Sequence, residues 1–136
     1  LIKDLKNKGI PVISEIEFAY RFAKGTVVGI TGSNGKTTTT MLTHHIMKRA
    51  GMNVGMGGNI GTSFAGMLVD QHHEHYVLEL SSFQLDGMYD FKADIAVMLN
   101  ITPDHMDRYD NDFQKYMFAV CIDSKLLEYL QNLFLE

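Results

Sequence analysis

A glycine-rich stretch near the start of the chain constrains the fold more than any other feature. Residues 29–40 read Gly-Ile-Thr-Gly-Ser-Asn-Gly-Lys-Thr-Thr-Thr-Thr. They follow the β-branched run of residues 26–28 and precede an apolar pattern at helical spacing over residues 41–47. A strand, a glycine-rich turn ending in Gly-Lys-Thr and then a helix form the arrangement of a phosphate-binding loop. The glycines let successive backbone N–H groups face one point, and the helix adds the positive end of its dipole.

The loop is a tighter variant of the general phosphate-loop pattern. In G-x-x-x-x-G-K-[ST] the first glycine would fall on Ile30, whereas this loop reads Gly-Ser-Asn-Gly-Lys-Thr over residues 32–37, here called the phosphate loop. Lys36 supplies a mobile ammonium for outer phosphates, and the Thr37 hydroxyl can bind a magnesium ion that the phosphates also hold. A glycine-rich turn with an accidental lysine is the alternative, and the flanking patterns argue against it. The candidate phosphate-binding residues are Gly32, Ser33, Asn34, Gly35, Lys36, Thr37 and Thr38.

Helical and strand patterns alternate along the chain. Helices are predicted over residues 1–8, 15–23, 36–50, 62–68 and 111–134, and strands over residues 26–30, 53–56, 76–80 and 93–100. Ser14 and Glu17 have the spacing of a capping box at the start of the second helix. Because crossovers between parallel strands are right-handed, the alternation predicts an α/β fold, with a mostly parallel sheet, helices on both faces and the phosphate loop at one edge.

Glu79 is the anomaly of the apolar run at residues 76–80. A near-continuous apolar run is typical of a buried parallel strand. A charge near its carboxyl end is costly unless it is paired or bound to a metal. Ligands of open α/β sheets bind at that end of the strands, so Glu79 is a candidate site residue.

Two further groups of polar residues follow predicted strands. Asn59 stands in the glycine-rich segment 57–61, which is interpreted either as a surface loop or as a close approach of the backbone to another group. Asp104 and His105 come shortly after the last predicted strand. Since parallel strands end at one edge of the sheet, these side chains are expected to lie near the phosphate loop.

Composition limits the classes of function. With 136 residues, 46% of them hydrophobic, the chain has the size of one domain and enough apolar side chains for a core. The net charge of −4 disfavours nucleic acid as a partner, and the single cysteine, Cys121, fits a reducing compartment. No apolar run reaches the roughly 20 residues of a membrane span, and no signal peptide is recognised, so no membrane partner and a cytoplasmic location are expected.

Residues 72–75, His-His-Glu-His, are interpreted as a solvated turn rather than a metal site.

Four segments occur in an order that resembles a known family. They are Gly-Ser-Asn-Gly-Lys-Thr-Thr-Thr at 32–39, Gly-Gly-Asn-Ile-Gly at 57–61, Leu-Glu-Leu-Ser-Ser-Phe-Gln-Leu at 78–85 and Asn-Ile-Thr-Pro-Asp-His-Met-Asp-Arg at 100–108. Together they resemble the ATP-binding central domain of the Mur ligase family, over about residues 10–116. The third segment is most similar to that of the family member that adds D-glutamate.

The resemblance implies an ATP-dependent amide ligase of peptidoglycan precursor synthesis. In that reaction ATP phosphorylates the terminal carboxylate of UDP-N-acetylmuramoyl-L-alanine, and the amine of D-glutamate attacks the acyl phosphate. The family pattern makes Lys36 and His105 catalytic, with Lys36 on the outer phosphates of ATP. The implied metal ligands are Thr37 and Glu79 for one Mg²⁺ ion and His105 for a second, and the implied substrate-facing residues are Asn59 and Ser81. No general base is assigned.

The same resemblance implies that the chain is one portion of a three-domain enzyme. Residues 1–14 would be the end of an N-terminal domain or a linker. Residues 15–136 would be the ATP-binding central domain, with an atypical tail from about residue 117. The other parts of the ligase would complete the ATP and substrate sites, so the fragment is expected to be inactive alone.

One position of the tail departs from the family. The family carries a carbamylated lysine four residues after a tyrosine in the last helix. Counted from Tyr116 this position is Val120, and Lys125 lies five residues further on, so the role is transferred to neither. Two alternatives stay open: a different phosphate-loop enzyme, such as a nucleotidase or small-molecule kinase, and a degenerate domain that binds ATP without turnover.

Overall fold

The alternating segments of the chain form four strands with helices packed around them. The computed structural model describes residues 1–103 and 106–120. The strands are β1 (Thr26–Thr31), β2 (Val54–Gly58), β3 (His75–Glu79) and β4 (Ile95–Met98). The helices are α1 (Ile2–Asn7), α2 (Glu15–Tyr20), α3 (Lys36–Arg49), α4 (Phe64–Asp70), α5 (Ser82–Leu85) and α6 (Phe113–Val120), with a 3-10 helix at Met106–Tyr109.

The four strands form a parallel sheet in the order β2-β3-β1-β4. β1 pairs with β3 from Thr26 opposite His75 to Ile30 opposite Glu79. β2 pairs with β3 so that Gly58 also lies opposite Glu79. The carboxyl ends of these three strands are therefore level, and the loops that leave them meet at one edge. The predicted α/β fold with a mostly parallel sheet is confirmed.

Alternating side chains of the strands bury apolar clusters on opposite faces of the sheet. On one face Val28 of β1 packs in a cluster with Met47 of α3. On the other face Val27 packs in a cluster with Ile16 of α2 and Phe64 of α4, to which α5 and α6 also contribute. Helices therefore cover both faces, as the alternation of the sequence predicts. The phosphate loop joins the carboxyl end of β1 to α3.

A buried carboxylate joins α2 to the loop after α5. The Ser14 hydroxyl accepts a hydrogen bond from the Glu17 N–H at 3.2 Å, as a helix cap should. The second half of the expected capping box does not form, because the Ser14 N–H donates to the carbonyl of Gly87. The Glu17 carboxylate accepts instead from the N–H groups of residues 89–91 at 3.0 to 3.1 Å and from Arg21 at 3.3 Å. Burial raises the pKa of Glu17, but these donors outweigh it and hold the pKa below its ordinary value of 4.5.

The last described helix begins later than its apolar periodicity predicts. Asp110 and Asn111 have φ angles of 56° and 57°, in the left-handed region, so the backbone turns there before α6 starts at Phe113. The Asp112 carboxylate accepts hydrogen bonds from N–H groups in the first turn of the helix. The remainder of the predicted helix, residues 121–134, lies outside the described residues. The second helix ends at Tyr20 rather than at residue 23.

The histidine-rich segment at residues 72–75 leads directly into β3. His73 Nδ1 lies 2.7 Å from Asn53 Oδ1, and the His73 N–H donates to the Tyr76 hydroxyl at 2.9 Å. Within residues 1–103 and 106–120, no three His, Cys, Asp or Glu side chains are placed to share a metal ion. The helices of the same ranges include none that is long and apolar enough to cross a membrane.

Candidate functional site

The glycines at both ends of the turn after β1 adopt conformations that L side chains rarely take. Gly32 has a φ of 139° and Gly35 a φ of 86°. A Cβ atom on Gly32 would lie 3.0 Å from the carbonyl oxygen of Asn100 and 3.2 Å from the Leu99 Cβ. Both positions therefore favour glycine, and the turn lies tightly against the segment that follows β4.

The second half of the phosphate loop offers donors to an anion. α3 has 14 residues, and its N-cap, Gly35, has no side chain that could accept from the first turn. The first N–H groups of a helix lack acceptors within the helix, so those of residues 36–38 are available to a ligand. Lys36 Nζ lies 2.6 Å from the Gly32 carbonyl oxygen and 3.0 Å from that of Ser33. Two of its three donors are thereby used, and as far as the described residues extend the third is left for an anion.

The first half of the phosphate loop is bonded to the segment after β4. The Asn100 side chain accepts from the Asn34 N–H and donates to the Asn34 carbonyl, both at 2.9 Å. The Ser33 N–H donates to the Asn100 carbonyl at 3.1 Å. Ser33 Oγ lies 2.8 Å from the Thr102 carbonyl oxygen, 2.9 Å from the Thr102 nitrogen and 2.7 Å from the Tyr116 hydroxyl. The N–H groups of Ser33 and Asn34 are therefore used within the protein, and they fix the shape of the loop.

Glu79, at the end of β3, is the buried acid of the site. It is 1% exposed. Thr37 Oγ1 donates to Glu79 Oε2 at 2.7 Å, and Asn59 Nδ2 donates to Glu79 Oε1 at 2.7 Å. Three residues that the sequence singles out separately therefore meet at one carboxylate. No salt bridge joins Glu79 to a basic side chain in the described part of the chain.

The glycine-rich segment 57–61 approaches β3 closely, which decides between its two interpretations. Gly58 has a φ of 98°, and a Cβ atom there would lie 2.3 Å from the Glu79 carbonyl oxygen. The Asn59 N–H donates to the same carbonyl at 2.9 Å. Only glycine leaves room for this approach, which places the Asn59 amide next to the Glu79 carboxylate.

The oxygen atoms around Glu79 fit a small divalent cation. Thr37 uses its hydroxyl proton on Glu79, so the lone pairs of its oxygen stay available to a metal. Mg²⁺ commonly binds one or two protein oxygens and completes its shell with substrate phosphates and water. As far as the described residues show, this buried carboxylate receives two neutral donors and no cation, which compensates it poorly, and a metal ion would neutralise it.

The remaining predicted site residues either make other contacts or fall outside the described residues. The Ser81 hydroxyl accepts from the Gln84 N–H, and Gln84 Oε1 accepts from the Ser81 N–H, so the two form a capping box for α5. Val120 is the last residue of α6. Asp104, His105 and Lys125 fall outside the described residues, so the roles predicted for the first two stay predictions.

Comparisons with known proteins agree on one family. The family model described as "Mur ligase middle domain" matches residues 30–130. A Bacteroides fragilis protein named UDP-N-acetylmuramoylalanine–D-glutamate ligase is 60% identical over 119 residues, which are 88% of this chain and 27% of that protein. Proteins of the same name from Cytophaga hutchinsonii and Solibacter usitatus are 60% and 47% identical, each over 85% of this chain and 26% of their own length. The chain thus spans about a quarter of the length of these relatives.

A solved structure supports the fold. The crystal structure of UDP-N-acetylmuramate:L-alanyl-gamma-D-glutamyl-meso-diaminopimelate ligase from Neisseria meningitides superposes with a TM-score of 0.50 at 20% sequence identity. The match covers 90% of this chain and 45% of that one. At this level of identity the similarity concerns the arrangement of helices and strands alone.

Proposed function

The chain belongs to the Mur ligase family through its middle domain, and from this premise we propose that it is the nucleotide-binding portion of an ATP-dependent amide ligase. The ligase adds D-glutamate to UDP-N-acetylmuramoyl-L-alanine through an acyl phosphate, in peptidoglycan precursor synthesis. The observation that carries the proposal is the buried Glu79 carboxylate, bonded to Thr37 of the phosphate loop. The names of the relatives, at up to 60% identity, support the choice of amino acid.

The geometry of the loop suits phosphoryl transfer to a carboxylate. That reaction brings anions together, so positioning and charge neutralisation carry most of the catalysis. The N–H groups of residues 36–38 would receive phosphate oxygens, and Lys36 would turn its ammonium from the loop carbonyls toward the outer phosphates. Thr37 and Glu79 would hold Mg²⁺, which when bound neutralises phosphate charge. Asn59 keeps the Glu79 carboxylate oriented by its 2.7 Å hydrogen bond.

The remaining roles rest on the family resemblance. His105 would hold a second Mg²⁺ near the acyl phosphate and act with Lys36 in catalysis. Asn59 and Ser81 would face the substrate side. Residues 1–14 would link to an N-terminal domain and residues 15–136 would form the ATP-binding domain. The N- and C-terminal parts of the same protein would be its partners, and the reaction would take place in the cytoplasm.

Calorimetric titration with the non-hydrolysable ATP analogue AMPPNP, with and without Mg²⁺, tests the proposal on the chain itself. We expect Mg²⁺-dependent binding that Lys36→Ala abolishes. Lys48→Ala is the matched control, because Lys48 is an exposed lysine at the other end of the same helix. A folded chain that binds AMPPNP equally well with and without Mg²⁺ would contradict the assigned metal site.

An assay of the complete ligase separates the proposed reaction from its alternatives. D-glutamate should be joined to UDP-N-acetylmuramoyl-L-alanine with release of ADP and phosphate. ATP hydrolysis or phosphate transfer that needs no UDP-sugar would favour a different phosphate-loop enzyme. ATP binding without turnover, even with every domain present, would indicate a degenerate domain, and ligation by the 136-residue chain alone would contradict its expected inactivity.

A further inference from the structure

A buried pair of hydroxyl groups joins the phosphate loop to α6. Ser33 is 8% exposed and Tyr116 is 2% exposed. Their oxygen atoms lie 2.7 Å apart, although the two residues are 83 positions apart in the chain. The Tyr116 ring is held by aromatic neighbours, Tyr109 at 5.5 Å and Phe113 at 6.2 Å between ring centroids. These contacts hold the Tyr116 hydroxyl next to Ser33 of the phosphate loop.

The direction of this hydrogen bond follows from counting donors. A serine hydroxyl has one proton and two acceptor lone pairs. Ser33 Oγ donates its proton to the Thr102 carbonyl oxygen at 2.8 Å, because a carbonyl oxygen can only accept. It accepts from the Thr102 N–H at 2.9 Å. The remaining lone pair can only accept, so Tyr116 is the donor and the hydrogen-bonding capacity of Ser33 is complete.

The loop divides into an anchored half and a ligand-facing half. In the anchored half the Ser33 and Asn34 N–H groups are bonded to Asn100, and the Ser33 side chain is bonded to Thr102 and Tyr116. The bonds that Asn100 makes to Asn34 are exposed to solvent, so water competes with them. The bond from Tyr116 is buried and does not face that competition. Among the side-chain bonds named here, it is therefore the one that water weakens least.

We propose that Tyr116 is a positioning residue for phosphate binding. Its hydroxyl holds Ser33 on Thr102, and this contact keeps the N–H groups at the start of α3 and the Lys36 ammonium directed at one point. The proposal rests on the proposed function, because it assigns a role toward the phosphates of ATP. It also means that displacement of α6 would change the affinity of the loop for nucleotide.

Tyr116→Phe tests this role, with Tyr109→Phe as its matched control. Both variants remove one hydroxyl from the same aromatic pair, but the Tyr109 hydroxyl lies 3.5 Å from Asp86 of the segment after α5. We expect Tyr116→Phe to weaken binding of Mg²⁺-AMPPNP by about five- to tenfold, through a smaller population of the binding-competent loop. Inorganic tripolyphosphate should lose affinity by the same factor. Tyr109→Phe should bind both probes as the wild type does, and both variants should melt within about 8 °C of wild type.

A double variant and backbone amide signals separate positioning from a general loss of structure. If Tyr116 acts through Ser33, Ser33→Ala combined with Tyr116→Phe should bind no more weakly than Ser33→Ala alone. In ¹⁵N–¹H spectra the amide signals of residues 35–38 should saturate at higher probe concentration in Tyr116→Phe. Equal affinity of Tyr116→Phe and wild type, or equal losses in both tyrosine variants, would overturn the positioning role while leaving the proposed function intact. Absence of probe binding by the folded wild-type chain would overturn the positioning role and the Mg²⁺-dependent binding of ATP by this chain alone, whereas the ligase reaction is tested by the assay of the complete enzyme.

Discussion

Glu17 and Glu79 are both buried glutamates, and their carboxylates are compensated in different ways. Glu17 is 0% exposed and Glu79 is 1% exposed. Glu17 receives three backbone N–H groups and the Arg21 guanidinium. Glu79 receives the hydroxyl of Thr37 and the side-chain amide of Asn59, which are both neutral. Burial alone therefore does not distinguish a structural acid from a candidate metal ligand.

The partners of each carboxylate make the distinction. The donors around Glu17 are Arg21, at the end of α2, and the loop after α5, and the carboxylate joins these two parts of the chain. These donors compensate the carboxylate without a bound ligand. Those around Glu79 come from the phosphate loop and from the segment after β2, both at the edge where the strands end. A cation bound there would add a positive charge that no salt bridge provides within residues 1–103 and 106–120. Glu17 is thus expected to matter for stability and Glu79 for binding.

Removal of the Glu17 side chain should have the largest effect. Glu17→Ala leaves three backbone N–H groups without their acceptor, and we expect the free energy of unfolding to fall by about 2 to 4 kcal/mol. Urea denaturation followed by circular dichroism measures this loss. Glu74→Ala, at an exposed glutamate, is the control and should stay within about 0.5 kcal/mol of wild type. Similar losses of unfolding free energy in the two variants would show that Glu17 stabilises the fold no more than an ordinary surface glutamate does.

Neutralising Glu79 should affect Mg²⁺ rather than stability. Glu79→Gln keeps the shape of the side chain and an oxygen for Asn59, so the unfolding free energy should change by less than about 1 kcal/mol. The Mg²⁺-dependent gain in AMPPNP affinity should fall by about tenfold or more, because a charged ligand of the ion is lost. Calorimetry at several Mg²⁺ concentrations measures how the affinity for AMPPNP depends on Mg²⁺. An unchanged Mg²⁺ dependence would show that the metal assignment is wrong.

Acid should remove the contribution that the Glu17 carboxylate makes to stability. The pKa of Glu17 is depressed in the folded chain, so its ionised form contributes stability above pH 4.5 and loses it as the pH falls through the lower, folded value. Glu17→Gln should therefore be less stable than wild type by about 1 to 2 kcal/mol at pH 7, and the difference should shrink below pH 4.5. Urea melts from pH 7 to pH 3 give the two curves. A constant difference across that range would contradict the assignment to the Glu17 carboxylate.

Loss of one neutral donor to Glu79 should have the smallest effect. Asn59→Ala removes the 2.7 Å bond to Glu79 Oε1, and we expect about a three- to tenfold loss of Mg²⁺-dependent affinity for AMPPNP. Asn53→Ala is the matched control, because Asn53 bonds His73 near the opposite end of β3. If both asparagine variants bind as the wild type does, orientation of Glu79 by Asn59 plays no part in binding.

The sequence predicts the fold and singles out candidate site residues because its signals there are local. The phosphate loop follows its strand and precedes its helix within a few residues, and Glu79 stands out as a charge in an apolar run. The Mur ligase family, predicted from four short segments, is confirmed by the match over residues 30–130. Each of these features can be recognised without knowing what lies beside it in space.

Contacts between distant parts of the chain could not be predicted in the same way. Ser14 and Glu17 have the spacing of a capping box, but the Glu17 carboxylate bonds residues more than 70 positions away. Ser33 lies in a motif typical of phosphate binding, but its hydroxyl is bonded to Thr102 and Tyr116. In both cases a residue type suited to a local role was used for a tertiary contact, which only the packing of the sheet and its helices determines.

The position of β1 in the sheet has a consequence for how the chain folds. β1 lies between β3 and β4, and both of its partners follow it in the sequence, with β2, α3 and α4 in between. During synthesis on the ribosome β1 therefore emerges before either neighbour. Its apolar side chains have no neighbouring strand until β3 and β4 have been synthesised. Pairing at such sequence separation is slow, because a long loop must close before the contacts form. Because its anchors Asn100 and Tyr116 emerge later still, we expect the phosphate loop to be among the last parts of the described chain to take its final shape.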